Sequence, residues 1–250
     1  MIDLSTVELV LDIDGVIRDV SDSYHRALAD TVEHFTLGQY RPDHDRIDLL
    51  KSEGLWNNDW EASQELIKRY FASYGEADRT DYASIVEFFQ GRYRGDNWTG
   101  YISQEPLIAT PAYFQALTAS GLTWGFFSGA TRGSATYVLS RLGLESPVLV
   151  AMEDAPGKPD PTGLIMVSKL LGHKPQVIYV GDTVADMMTV QKAAQIDLDR
   201  QYIGVGVIPP HIKPEQHTAY SEMMKSHGAK LVLTTILALT PELIENESIF

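Results

Sequence analysis

Residues 7 to 15 read Val-Glu-Leu-Val-Leu-Asp-Ile-Asp-Gly, a mostly apolar run that ends in two carboxylates, Asp12 and Asp14. Such a run predicts a parallel strand buried on both faces, and acids at its carboxyl end fall where open α/β sheets bind their ligands. Strand alternation puts Asp12 and Asp14 on the same side, while Gly15 permits a tight turn and close approach of the backbone to a ligand. Two like charges on a rigid support need a cation or a shared proton. Alone, the pair is equally consistent with a helix cap or a solvated turn, so the rest of the chain decides.

From Pro106 onward, strands are expected at 122–128, 147–152, 177–181, 202–207 and 230–233, with helical stretches between most of them. This alternation predicts an α/β fold with a doubly wound parallel sheet. The block between the first strand and Pro106 has helical periodicity and no strand signal. Its helices are expected at 21–35, 43–53, 59–74 and 82–94, broken by Gly38, Pro42, Gly54, Gly75 and Gly95. The third places Trp60, Leu66, Ile67, Tyr70, Phe71 and Tyr74 on one face, and Asn58 with Glu61 resembles a capping box. The expected organisation is an α/β core from residues 1–17 and 106–250, with a helical domain, 18–105, inserted into it.

Three further segments carry polar chemistry at or after strand ends, on the same edge of the sheet as Asp12. Phe126-Phe127-Ser128-Gly129-Ala130-Thr131 offers the Ser128 hydroxyl and successive amides, Gly129 included, at a helix start suited to an anion. Gly157-Lys158-Pro159-Asp160-Pro161 presents one compact ammonium, suited to phosphoryl oxygens. The strand 177–181 runs into Asp182, and a helix from about Thr183 places Asp182 and Asp186 one turn apart. Asp12, Asp14, Asp182 and Asp186 around one small volume exceed what Lys158 can neutralise, which implies a divalent hard cation. Oxygen-only ligands favour Mg2+.

Bulk properties narrow the partners. A formal net charge of −14 argues against a nucleic-acid backbone or an anionic membrane as partner. A small phosphorylated molecule still fits where a metal and a few cationic groups reverse the local sign. The absence of cysteine excludes disulfides and thiolate metal sites and is compatible with a cytoplasmic protein. Asp3 and Glu8 stand where a signal peptide would carry a basic region and an apolar stretch, and the tract 231–239 is too short to span a bilayer. The oligomeric state stays open, as does the purpose of the polar excursion 208–228.

The ordered set Asp12-Ile13-Asp14-Gly15-Val16, Ser128, Lys158 within Gly-Lys-Pro-Asp-Pro, then Gly181-Asp182 and Asp186 resembles the haloacid dehalogenase superfamily of phosphohydrolases. The helical insertion after the first motif resembles that superfamily's cap domain. The resemblance implies a Mg2+-dependent hydrolase of small phosphorylated metabolites. It makes Asp12 the nucleophile, forming an aspartyl-phosphate, and Asp14 the acid and base. The metal would be held by the Asp12 carboxylate, the Asp14 backbone carbonyl and Asp182, with Asp186 further out. Ser128, the Gly129 amide and Lys158 would hold the transferring phosphoryl group. Carbon–halogen cleavage has no leaving oxygen for Asp14 to protonate, so phosphate chemistry is the expectation. A phosphosugar mutase of the β-phosphoglucomutase type is one alternative, and a non-catalytic phosphometabolite-binding module is another. Arg18 and the Trp56-Asn57-Asn58-Asp59-Trp60 segment are candidates to read the leaving group, against plainer roles in helix capping and packing.

Overall fold

The computed structural model describes residues 2–51, 53, 55–56 and 58–246. The chain forms two compact units, one from residues 1–19 and 106–250 and the other from Val20–Glu105. The first unit is built on six parallel strands: β1 (Val7–Leu11), β2 (Thr123–Phe127), β3 (Leu149–Val150), β4 (Gln176–Gly181), β5 (Gln201–Val207) and β6 (Ala229–Leu233), in the order β3-β2-β1-β4-β5-β6. It is a doubly wound α/β sheet of the expected class. The order reverses between β1 and β4, and the crevice beyond the carboxyl ends of these strands is where such sheets take ligands.

Every residue of β1 is buried, including Glu8. Its two neighbours fix its register: Leu9 lies opposite Trp124 of β2 and Ile178 of β4. On one face of the sheet, α7 (Thr162–Leu171) and α8 (Val184–Ile196) bring Leu164, Val167, Val190 and Ala193 onto Val10, Phe127, Val150 and Tyr179. A Cβ at Gly163 would lie 2.1 Å from the Phe127 ring, so glycine lets α7 approach the sheet closely. On the other face, Phe114 of α5 (Pro111–Ala119) packs against Trp124 and Phe126. Adjacent Phe126 and Phe127 thus serve opposite faces, as a strand's period of two requires.

Near the amino end of β1, Glu8 is satisfied from several directions. One carboxylate oxygen accepts the Lys174 amide at 2.7 Å, and the other accepts the Ser168 hydroxyl with Arg200 at 3.8 Å. Arg200 also pairs with Asp197 and donates to the Tyr202 hydroxyl.

The second unit contains α1 (Ser23–Phe35), α2 (His44–Lys51), α3 (Asp59–Ser73) and α4 (Tyr82–Tyr93). Ala27, Leu28, Val32, Ile47, Ala62, Leu66, Ile67, Ile85 and Phe89 form its buried interior. Asn58 begins α3 by accepting the amides of Trp60 and Glu61. The apolar stripe expected on α3 narrows toward its end: Tyr74 is 69% exposed and stacks only obliquely on Tyr70. Asp30, buried on α1, gathers Arg41, Arg92 and the Tyr101 hydroxyl, so the half-exposed Arg92 belongs to an ion-pair group. The first unit keeps Arg18 and Asp19, two residues beyond the boundary read from the sequence. The reason is a closed turn: the Gly15 amide donates to the Arg18 carbonyl, and Arg18 bridges to Leu107.

Candidate active site

Asp12 follows the last residue of β1, and its amide donates to the Val180 carbonyl of β4 at 2.9 Å. Its side chain is buried, with one oxygen accepting the Ile13 amide at 2.8 Å. The other oxygen lies 2.7 Å from the Lys158 ammonium, which also lies 2.7 Å from Asp186 Oδ1. Lys158 comes from the loop after β3, where its peptide bond to Pro159 is cis. The ammonium sits 5.3 and 5.5 Å from the ring centroids of Phe127 and Tyr179, faces that attract a cation.

Asp182 and Asp186 flank the start of α8. Thr183 caps this helix in a reciprocal capping box: its hydroxyl oxygen accepts the Asp186 amide, and its own amide donates to Asp186 Oδ2 at 2.9 Å. Asp186 Oδ1 also accepts the Tyr179 hydroxyl at 3.0 Å. With Lys158, Thr183 and Tyr179 all donating to it, Asp186 has its acceptor capacity taken up by the protein's own groups. Asp182 is different. A Cβ at Gly15 would fall 2.0 Å from Asp182 Oδ2, and Gly15 has φ +72°, so glycine is needed there both for the turn and for this carboxylate.

Ligating oxygens of Asp12, Asp182 and Asp186 lie within 4.8 Å of one another, one such group among the described residues. Burial pushes Asp12 up to about 7, against the pull of Lys158. Burial and the neighbouring charges of Asp186 and Asp12 hold Asp182 well above the usual carboxylate range. Burial also acts to raise Asp186, but Lys158 and the Thr183 donors prevail and hold it below that range. Burial alone would lower Lys158, yet Asp12 and Asp186 keep it charged. Three carboxylates facing one ammonium leave an excess of negative charge, which a divalent cation held by oxygen donors would relieve. Oxygen donors carrying such an excess of charge fit a hard divalent cation.

Asp14 lies outside this trio. Its Oδ1 accepts Arg18 Nε at 2.7 Å and lies 2.6 Å from a second guanidinium nitrogen. Arg18 is thereby turned onto the acid beside it. Ser128 is buried just after β2, its hydroxyl oxygen accepting the Ala130 amide at 3.1 Å, with Gly129 exposed beside it. The following helix, α6 (Arg132–Arg141), begins with Thr131 as its N-cap, so Ser128 belongs to the strand-end loop and not to a helix start. Trp56 donates to Glu53, Asp59 pairs with Lys51, and Asn57 lies outside the described residues.

Two tyrosines at the site carried no distinct sequence signal. Tyr179 reads as one more apolar strand residue, yet its hydroxyl reaches Asp186 and the Phe127 carbonyl. Tyr220 lies in the 208–228 excursion, on α9 (His217–Ser226), and donates to the main-chain carbonyl of Asp182. The Thr183-x-x-Asp186 spacing was a visible cue for the cap.

Residues 9–194 match the family model described as haloacid dehalogenase-like hydrolase. The chain belongs to this family and is a hydrolase of the haloacid dehalogenase type. It is similar to phosphatase Tt82 from Thermococcus thioreducens (20% identity, TM-score 0.65, covering 85% of this chain and 98% of that one). It is also similar to a β-phosphoglucomutase from Clostridium difficile (17% identity, TM-score 0.64, covering 99% and 97%). A relative from Phytophthora nicotianae, imidazoleglycerol-phosphate dehydratase, is 29% identical over 238 residues, 90% of this chain. The chain spans about half the length of that relative, 50%. No helix among the described residues is long and apolar enough to cross a membrane.

Proposed function

We propose that the protein is a Mg2+-dependent phosphatase that hydrolyses a small phosphorylated metabolite through an aspartyl-phosphate on Asp12. The supporting observation is the Lys158 ammonium, 2.7 Å from both Asp12 and Asp186, beside Asp182 at the point where strand order reverses. Asp12 attacks phosphorus while Lys158, the Ser128 hydroxyl and the Gly129 amide hold the phosphoryl oxygens and offset their charge. Asp14 protonates the departing oxygen and then takes a proton from the water that opens the acyl phosphate. The Asp12 carboxylate, the Asp14 carbonyl and Asp182 would hold Mg2+, and Asp186 acts by fixing Lys158. When bound, the ion offsets the charge of the phosphoryl group and of the surplus carboxylates. Val20–Glu105 serves as the cap, and the protein works in the cytoplasm, away from nucleic acids and membranes.

The test is phosphate release across sugar phosphates, phosphoglycolate, nucleotides and imidazole-bearing phosphate esters, with Mg2+ or with chelator. The last class is included because of the Phytophthora relative's name. Release that requires Mg2+ and is lost in Asp12→Asn is the expected result. Phosphoryl return to a second hydroxyl of the same sugar, dependent on a bisphosphate activator, would replace the phosphatase with a mutase. Equal rates in Asp12→Asn and wild type would remove both.

A further inference from the structure

Tyr220 and Met224 stand four residues apart on α9 and therefore share one face of that helix. Met224 is buried and packs with Met187 of α8 and Ala229 of β6. A Cβ at Gly206 of β5 would fall 3.2 Å from Met224 Cε, so α9 lies close on the sheet. One turn before this anchor, Tyr220 donates its hydroxyl to the main-chain carbonyl of Asp182. The same peptide group is held at its other end, where the Thr183 amide donates to Asp186 Oδ2 at 2.9 Å. A peptide is planar, so fixing its oxygen and its N–H fixes the orientation of the whole unit. The Asp182 side chain leaves the chain directly before this unit, and a Cβ at Gly15 would lie 2.0 Å from its Oδ2. The carboxylate is thus set by the peptide that follows it and by the turn it rests on.

We propose that Tyr220 is a positioning residue for the candidate metal site: it holds the Asp182 peptide so that the Asp182 carboxylate stays gathered with those of Asp12 and Asp186. This gives the 208–228 excursion a purpose. Its helix carries the tyrosine, and the Met224 contact sets where the hydroxyl falls. The inference rests on the reading of Asp182 as a Mg2+ ligand given above. Without the hydroxyl the Asp182 peptide can rotate, and the three carboxylates move apart under their mutual repulsion. A cation must then draw them together again, and that cost appears as lost affinity. Groups that hold a ligating side chain from outside are worth about 10–100-fold in metal affinity. Tyr220 acts through Asp182 and takes no part in making or breaking a bond.

The experiment titrates the metal-free protein, with no substrate present, with Mn2+ followed by the electron paramagnetic resonance signal of the free ion, and with Mg2+ in competition. It compares wild type, Tyr220→Phe, Tyr202→Phe and Asp182→Asn. Tyr202 begins β5 at the far edge of the sheet, where its hydroxyl meets Arg200 and Asp197, so its loss reports what a missing tyrosine hydroxyl costs the fold alone. Tyr220→Phe is expected to weaken both ions about tenfold, with Tyr202→Phe within about twofold of wild type. A change below about threefold in Tyr220→Phe overturns the proposal, as does an equal loss in Tyr202→Phe. If Tyr220→Phe does not fold, hydrogen exchange in the wild type decides. Coupling is reciprocal, so a contact that favours the cation must itself be strengthened by it. Mg2+ is then expected to slow amide exchange in 217–226 as well as in 182–187, and protection confined to 182–187 overturns the proposal. Wild-type affinity in Asp182→Asn would instead overturn the reading of Asp182 as a ligand.

Discussion

Glu8 and Asp12 stand four residues apart along one line of chain, share a face with Val10, and are both buried, yet their surroundings are opposites. Glu8 has donors at both oxygens, from Ser168 and the Lys174 amide, with Arg200 close by. Asp12 shares one ammonium with Asp186 while Asp182 crowds in beside them. Burial by itself does not mark a functional acid. What separates the two ends is whether the protein supplies enough positive charge and enough donors, and at Asp12 it does not. The shortfall leaves buried negative charge at that end that the protein's own groups do not offset.

The sharpest way to break this contrast is Asp12→Asn, expected to cut phosphate release by about 10⁴-fold or more. Its metal-free melting temperature at pH 8 should equal or exceed that of wild type, because a surplus carboxylate has been removed. A large stability loss would show that the two ends are alike. Glu8→Ala should do the reverse, destabilising by about 3–5 kcal/mol in denaturant titrations while leaving kcat per folded molecule within about twofold. A selective loss of turnover there would erase the distinction.

Metal and pH probe the shortfall directly. Asp12 binds its proton more tightly in the folded chain, at about 7, than at its ordinary 3.8. Stability of the metal-free protein therefore falls as pH rises from about 4 to about 7 and stays lowered above that. Added Mg2+ relieves the same repulsion, so its effect on melting temperature should be larger at pH 8 than at pH 5.5, by about 2–8 °C. Equal effects at the two pH values would detach the ion from this cluster. The smallest expected change is in Tyr179→Phe, which removes one donor from Asp186: about 1 kcal/mol in stability and a several-fold drop in kcat. A null result would assign Tyr179 to packing alone.

The doubly wound sheet was legible because its signals are local: apolar runs of strand length, glycines and prolines between them, and helical periods in the gaps. The positions of Asp12, Lys158, Asp182 and Asp186 were legible for a related reason, since parallel strands bring their carboxyl ends to one edge. The partners of buried charge were not. Glu8 meets Ser168 and Arg200 from far along the chain, and no periodicity announces such a meeting. Arg18 was a candidate to read a leaving group, and nothing local in the sequence says that its turn folds inward to bury it against Asp14. Tyr220 was hidden in a polar excursion whose place in the structure depends on α9 packing through Met224 against Met187.

The capping box at Thr183 ties the beginning of a helix to the candidate site, because Asp186 completes the box with one oxygen and pins Lys158 with the other. Loosening the first turn of α8 would set the lysine adrift. Evolution cannot retune that end for solubility or flexibility without also disturbing the chemistry, so variation in this chain should collect on the far turns of α8 and spare its opening residues.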